Sequence, residues 1–205
     1  SDAFFYQKLD VADVDSVAAF VEALANEHGD ADILVNSAGV TAHELVCGHD
    51  EKSWLDVIDI NLSGPFRMIR ACLPKMIERR WGRIINIGST AATTAVADHA
   101  AYCASKSGLL GLSRAVALEG AQHGFSSVVI SPTWVQTEMF NSSMQIQAGK
   151  AGHSVDEEIE KLVAEQPQKR LVQPQELGAL AAFLCRDEAL GITMEDIQLN
   201  AAALW

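Results

Sequence analysis

Short apolar runs alternate along the chain with longer stretches that carry apolar residues at helical spacing. The short runs predict strands, and they are AFFYQKL (3–9), ADILVNSAG (31–39), GRIINIGS (82–89), FSSVVISP (125–132) and MEDIQLN (194–200). These runs are apolar throughout rather than at alternate positions. That pattern is typical of strands that are covered on both faces of a parallel sheet.

The longer stretches predict helices at residues 10–29, 50–80, 99–120 and 173–188. Gly64 and Pro65 are expected to interrupt the second of them. Residues 133–172 are expected to be irregular or weakly helical. The apolar side chains in that segment indicate a lid over a substrate pocket, and a satellite core explains them nearly as well.

Strands that alternate with helices predict an α/β fold with a doubly wound parallel sheet, in one domain over residues 1–205. In such sheets, ligands bind at the carboxyl ends of the strands. The segments after ILVN, INIG and VVIS are therefore expected to surround one crevice.

Composition narrows the class of protein. A net charge of -12 argues against nucleic-acid binding, which favours a basic surface. No apolar run approaches the ~18 residues of a membrane helix, and the first residues do not resemble a signal peptide. The four cysteines are scattered, without a C-x-x-C pair, which favours reduced thiols and a cytoplasmic location.

Four polar residues fall in or near the predicted crevice. Ser89 follows the strand GRIINIG, Asn61 lies in the helix before it, and Tyr102 and Lys106 lie in the helix after it. Residues four apart share a helix face, so Tyr102 and Lys106 can act on one small volume. A phenol titrates near pH 10, and a nearby ammonium lowers that pKa towards the range useful for proton transfer.

Each of these residues also has a simpler interpretation. A Y-x-x-x-K pair is frequent by chance, Asn61 could cap a helix kink, and Ser89 and Thr90 could be ordinary turn residues. His43 and His49 precede Asp50 and Glu51, but their spacing does not repeat elsewhere. We therefore expect a solvated loop there and no metal site.

The motifs are more specific as an ordered set than any one of them is alone. NSAG (36–39), NLSG (61–64), INIGS (85–89), Y-x-x-x-K (102–106) and SPTWVQT (131–137) occur in sequence. Together they resemble the short-chain dehydrogenase/reductase family, from about Leu9 to the end of the chain. The resemblance implies a Rossmann-like, three-layer α/β/α fold and a nicotinamide-dependent oxidoreductase.

The resemblance also implies roles for individual residues. Tyr102 would be the general acid/base, and Lys106 would lower its pKa and hold the nicotinamide ribose. Ser89 would orient the substrate oxygen, and Asn61 would complete a proton relay through water.

Further residues match the family's binding segments. The implied cofactor contacts are Asp10, Val11, Asn36, Ser37, Ala38, Gly39, Tyr102, Lys106, Pro132, Val135 and Thr137. The implied substrate contacts are Ser89, Thr90, Tyr102, Trp134, Met139 and Phe140.

The chain departs from the family pattern at three places. The first is the βαβ portion with its glycine-rich turn, which would bind the pyrophosphate and decide between NAD and NADP. It is absent from the sequence, and we expect a missing N-terminus rather than a native absence. The others are Thr133, where the family usually has glycine, and the tail LNAAALW, where a glycine pair is common.

These observations predict an NAD(P)-dependent enzyme that interconverts a ketone or aldehyde and an alcohol. By resemblance we also expect a homodimer or homotetramer, built through the helices that carry residues 61–77 and 99–120. Two alternatives stay open at this point: a catalytically silent binding or scaffold protein of the same fold, and a serine hydrolase that uses Ser89. The absence of a histidine near Ser89 in sequence argues against the hydrolase.

Overall fold

A computed structural model describes residues 5–203, and its centre is a four-stranded parallel sheet. The strands are β1 (Ile33–Asn36), β2 (Gly82–Ile87), β3 (Phe125–Pro132) and β4 (Asp196–Leu199), in the order β1-β2-β3-β4. The helices are α1 (Val14–His28), α2 (Glu51–Ile58), α3 (Gly64–Arg79), α4 (Ala100–Gly120), α5 (Glu138–Ala151), α6 (Val155–Glu165) and α7 (Pro174–Leu184). The predicted α/β fold with a parallel sheet is confirmed.

Helices cover both faces of the sheet. Leu34 and Ile84 pack with α1, α3 and α4 on one face, whereas Ile85 and Val128 pack with α7 on the other. Strands β2 and β3 are buried along almost their whole length, as the apolar runs predicted.

Strand β1 differs from the expectation of burial on both faces. Its residues alternate, with Ile33 and Val35 exposed and Leu34 and Asn36 buried. The difference arises because α7 packs on β2 and β3 and does not reach the edge strand. An apolar sequence therefore identified the strand but not the degree to which it is covered.

The first predicted strand is also not formed in the part that the structure describes. Residues 5–9 have no strand conformation, and the remainder of the run, 3–4, lies outside the described residues. A strand needs a neighbouring strand to pair its backbone groups. No described strand lies beside this segment.

The segment 133–172 is more regular than expected, because it contains the two helices α5 and α6. The Thr137 side chain caps α5 by accepting from the Phe140 N–H. Ser154 and Glu157 form a capping box at the start of α6. These caps stabilise the first turn of each helix. The hydrophobic pattern alone did not predict the caps.

The long helix before β2 is interrupted by a π turn over Asp59–Ser63, just ahead of the expected break at Gly64 and Pro65. Pro65 lies in the first turn of α3, directly after the π turn. A Cβ on Gly64 would lie 2.7 Å from Val11 Cγ2, so glycine permits a close approach there. The π turn places Asn61 in the interior of the protein.

Candidate active site

A cavity of about 360 Å³ lies at the carboxyl ends of β1, β2 and β3. It brings together most of the residues that the sequence singled out. Those that line it are Ser37, Gly39, Ser89, Thr90, Tyr102, Lys106, Pro132, Trp134, Val135, Thr137, Met139 and Phe140. The predicted crevice is therefore where these segments meet.

Tyr102 and Lys106 project from one face of α4 into this cavity. The Lys106 side chain is buried, and its Nζ donates a hydrogen bond of 2.8 Å to the Ile87 carbonyl. The same Nζ lies 5.6 Å from the centroid of the Tyr102 ring. The last residue of β2 thus fixes the direction of the ammonium group beside the phenol.

The pKa values of this pair reflect their burial. Burial raises the pKa of Tyr102, and a hydrogen bond with the Ser89 hydroxyl lowers it by less. Burial lowers the pKa of Lys106 to about 8. Desolvation is thus the largest influence on the pKa of the phenol, and the expected lowering by Lys106 stays a prediction.

Ser89 has two contacts that fix its position at the end of β2. Its Oγ accepts a hydrogen bond of 3.1 Å from the Ala91 N–H and so caps the short turn Thr90–Ala92. The same side chain lies close enough to Tyr102 to lower the pKa of the phenol. Ser89 therefore caps a turn and also lines the cavity, and its catalytic role stays a prediction.

Asn61 does not line the cavity but supports it from behind. Its side chain forms two hydrogen bonds of 2.8 Å with the backbone of Val40, one to the N–H and one to the carbonyl. It also donates to Ser105 Oγ at 3.1 Å, and Ser105 donates to the Tyr102 carbonyl. The side-chain amide is thus occupied in joining the loop after β1 to α4, so a water relay would have to use other atoms of Asn61.

Only some residues of the NSAG segment line the cavity. Ser37 and Gly39 line the cavity, whereas Ala38 is exposed outside it. Asn36 is buried, and its Nδ2 donates to Asn86 Oδ1 at 2.8 Å, which joins β1 to β2. A Cβ on Gly39 would stand 3.6 Å from Lys106 Nζ, so this loop passes close to the ammonium group.

Asp10 and Val11 lie outside the cavity. Asp10 Oδ1 accepts from the Ala12 N–H at 2.9 Å, and the Val11 carbonyl accepts from Arg67 at 3.0 Å. Both residues belong to the segment that precedes α1. They are positioned by local contacts, and their predicted part in adenine binding stays a prediction.

The segment after β3 forms one wall of the cavity. Trp134 and Phe140 pack edge to face with ring centroids 6.0 Å apart. Val135 pairs with Val172 in a parallel bridge, which joins the start of this segment to its end. Thr133 also lines the cavity, and its buried Oγ1 has no hydrogen-bond partner among the described residues.

Sequence reasoning missed several residues of the cavity. They include Thr41, Ile87, Gly88, Ala91, Val96, His99, Ser143 and Leu177. His99 stands out, because its Nδ1 lies 2.7 Å from Asp98 Oδ1. No sequence motif marked it, although its position three residues before Tyr102 on a helix would have placed both on one face.

The loop between His43 and His49 is exposed, as expected, but the two histidine side chains are partly buried. His43 packs edge-on against His99, with ring centroids 4.3 Å apart, and its Nε2 lies 3.1 Å from Ser143 Oγ. The His49 side chain is only 7% exposed and lies beside Glu44 and Trp54. The two histidines therefore belong to separate environments, and both are partly buried at the ends of a loop whose residues 45–48 are exposed.

Comparison with known proteins shows which family this chain belongs to. Residues 2–201 match the sequence model of the family described as "Enoyl-(Acyl carrier protein) reductase". The chain is 37% identical to the 3-oxoacyl-[acyl-carrier-protein] reductase FabG of Salmonella typhimurium, over 94% of this chain and 74% of that protein. The chain belongs to the short-chain dehydrogenase/reductase family. Other members of this family are NAD(P)-dependent reductases and dehydrogenases, and this chain is an oxidoreductase of the same kind.

Two further relatives support the assignment of this chain to the short-chain dehydrogenase/reductase family. It is 40% identical to the D-threitol dehydrogenase of Mycolicibacterium smegmatis, over 93% of this chain and 70% of that protein. Its fold matches a crystal structure of a variant of actinorhodin polyketide ketoreductase with NADPH, with a TM-score of 0.92 and 33% identity. That match covers 95% of this chain and 76% of the ketoreductase. The Rossmann-like architecture is therefore shown.

The cavity residues of this oxidoreductase fit the nicotinamide end of a dinucleotide cofactor. Lys106 offers a buried ammonium, and the orphaned Thr133 hydroxyl offers a hydrogen bond that no described residue takes. Apolar side chains supply most of the remaining wall, which suits a flat aromatic ring.

In the part of the chain that the structure describes, no helix is long and apolar enough to cross a membrane.

Proposed function

We propose that this enzyme interconverts a ketone or aldehyde and an alcohol with NAD or NADP, and that Tyr102 is its general acid/base. The observation that carries the proposal is the convergence of Ser89, Tyr102 and Lys106 on one cavity. A phenol, a hydroxyl and an ammonium group around one cavity can bind and protonate a carbonyl oxygen. The relatives' names differ in substrate, so the proposal stays at the level of a carbonyl compound.

Ser89 and Tyr102 would both contact the reacting oxygen. The pKa of Tyr102 is raised by burial, so the phenol keeps its proton at neutral pH and begins carbonyl reduction as an acid. Ser89 donates a hydrogen bond to the same oxygen and stabilises the negative charge that develops there. In the reverse direction, Tyr102 receives the proton from the alcohol. The bound nicotinamide supplies or accepts the hydride.

Lys106 would hold the cofactor and balance charge. Its pKa of about 8 leaves it mainly protonated at neutral pH. An ammonium group 5.6 Å from the Tyr102 ring centroid stabilises a phenolate as the proton leaves. Because Nζ has three protons and uses one on the Ile87 carbonyl, the others can bond to ribose hydroxyls.

The surrounding parts of the chain would serve this reaction. Helices α5 and α6, within 133–172, would act as the substrate lid of a single domain, and Thr90, Trp134, Met139 and Phe140 would contact the substrate. Asn36, Ser37, Ala38 and Gly39 would line the path of the cofactor, together with Pro132, Val135 and Thr137. Asp10 and Val11 would contact the adenine.

We also propose a homo-oligomer and a cytoplasmic location. Phe66 on α3 and Leu118 on α4 are 47% and 64% exposed, respectively, and such apolar positions favour a contact between subunits. All four cysteines are free, which is compatible with a reducing compartment.

The proposal is tested with a panel of ketones, aldehydes and secondary alcohols, followed by the absorbance of reduced nicotinamide with NADH and with NADPH. Turnover with one or both cofactors supports it. Cofactor binding in the absence of any turnover would instead favour a silent binding protein of the same fold.

A further inference from the structure

His99 lines the same cavity as Tyr102, and the two rings are 6.4 Å apart, centroid to centroid. The imidazole is 7% exposed, so it is a built part of the cavity wall rather than a surface side chain. It lies at the N-terminal end of α4, one helical turn before Tyr102. A substrate bound at the phenol therefore lies within a few atoms of this imidazole.

The hydrogen bonds of His99 fix its tautomer. Nδ1 lies 2.7 Å from Asp98 Oδ1 and 3.0 Å from the Ala97 carbonyl oxygen. Both partners are acceptors, so Nδ1 carries the proton. Nε2 of the neutral ring is then an acceptor, and it has no hydrogen-bond partner among the described residues.

Asp98 is itself held in place by the lid. Its Oδ2 accepts from Lys150 of α5 at 2.8 Å, and its carbonyl accepts from the Glu44 N–H at 2.8 Å. Its φ of 59° is a left-handed conformation, which aspartate tolerates better than most residues do. Lys150 and the Nδ1–H of His99 thus each occupy one oxygen of the Asp98 carboxylate.

We propose that His99 binds a second oxygen of the substrate, a hydroxyl group a few atoms from the reacting carbonyl, through Nε2. An acceptor nitrogen selects a group that can donate, and a hydroxyl has a proton to give where a carboxylate or a second carbonyl has none. The substrate class is then hydroxy-ketones and the corresponding diols or polyols. This inference rests on the proposed function and adds a specificity-determining residue to it.

A metal centre is the competing explanation for the same side chains. Ligand atoms of His43, Asp98 and His99 all lie within 4.8 Å of one another. However, both oxygens of Asp98 and the Nδ1 of His99 are already paired, and the Lys150 ammonium occupies the position beside the carboxylate. A cation would have to displace that ammonium, so the geometry favours a hydrogen-bonding group.

The test compares 1-hydroxy-2-butanone with 2-butanone, which lacks only the second oxygen. Wild-type enzyme is expected to prefer the hydroxy-ketone in kcat/KM, because a buried acceptor left without a partner costs affinity for the analogue. His99→Leu should lower this preference by about ten-fold or more. His99→Gln, whose amide oxygen can accept, should restore part of it, and the exposed control His28→Leu should leave it unchanged.

The outcomes separate the inference from the proposed function. Turnover of both ketones with equal kcat/KM, unchanged in His99→Leu, would overturn the inference and leave the proposed function intact. Oxidation of neither NADH nor NADPH with any carbonyl compound would overturn the proposed function itself. Activity that EDTA removes and Zn²⁺ restores, only while His99 is present, would replace the hydrogen bond with a metal centre.

Discussion

The ammonium group of Lys106 donates to the carbonyl of Ile87 at 2.8 Å, and this bond joins α4 to the end of β2. It fixes Lys106 in a buried position near the Tyr102 ring. The strand end and the helix thus build the site together, and neither element carries it alone.

The first prediction concerns Lys106 and the pH dependence of stability. Its pKa of about 8 in the folded protein lies below the usual 10.5, so the unfolded chain binds the extra proton between these values. Stability from this group therefore rises as the pH increases from about 8 to 10.5.

Urea unfolding of wild type and Lys106→Met at about pH 7.5 and about pH 10 measures this effect. The difference in unfolding free energy between the two proteins should shift in favour of wild type at the higher pH. The burial argument fails if that difference is the same at both pH values. Comparing with the variant removes the contribution of other groups, such as Cys72, whose thiol pKa burial raises to about 11.

Ser89 provides a second prediction. Ser89→Ala should lower kcat by about 100- to 1,000-fold, the usual cost of removing one donor to a developing oxyanion. Ser89→Thr keeps the hydroxyl and should retain most of the activity. Steady-state kinetics with one ketone decide the matter, and wild-type kcat in Ser89→Ala would contradict the role of the serine as a hydrogen-bond donor to the oxyanion.

Asn61 is predicted to act through structure. Asn61→Ala leaves the N–H and carbonyl of Val40 without their side-chain partners and should lower the free energy of unfolding by about 1–3 kcal/mol. Urea denaturation measures this loss, with the exposed Asn141→Ala as the control. An unchanged midpoint for Asn61→Ala would mean that its hydrogen bonds add nothing to stability.

The proposed homo-oligomer is tested at α3 and α4. Phe66→Glu or Leu118→Glu should shift the protein to a smaller species in light scattering coupled to gel filtration, because a charge replaces an apolar contact. Val14→Glu on α1, where Val14 is also exposed, is the matched control. If the mass stays the same in all three variants, these helices do not form the interface.

Local sequence pattern predicted one part of the fold well. Strands β2 and β3 and helices α1 and α4 were recognised because apolar periodicity and capping residues such as Gly29 are local properties. Burial of β1 depends on which helices reach the edge of the sheet, and no local pattern records that. Helices α5 and α6 begin at side-chain caps, and their apolar residues pack together in a cluster around Phe140 and Met144 that joins segments distant in sequence.

The same distinction applies to the site. Ser89, Tyr102 and Lys106 were found through motifs with fixed spacing, and the structure places all three in one cavity. His99 was missed because its meaning comes from Asp98, from Lys150 on a distant helix and from the cavity that they border. The rise in the Tyr102 pKa was also unforeseen, since the extent of desolvation is a property of the folded protein.

Tyr102→Phe tests the central claim most directly, because it removes one oxygen atom and leaves the ring that packs near Lys106. The measurement is kcat for a ketone that the wild type reduces, together with cofactor affinity from fluorescence titration. We expect kcat to fall by about 100- to 10,000-fold, the range for loss of a general acid, with cofactor affinity unchanged. Turnover at the wild-type rate would contradict the assignment of Tyr102.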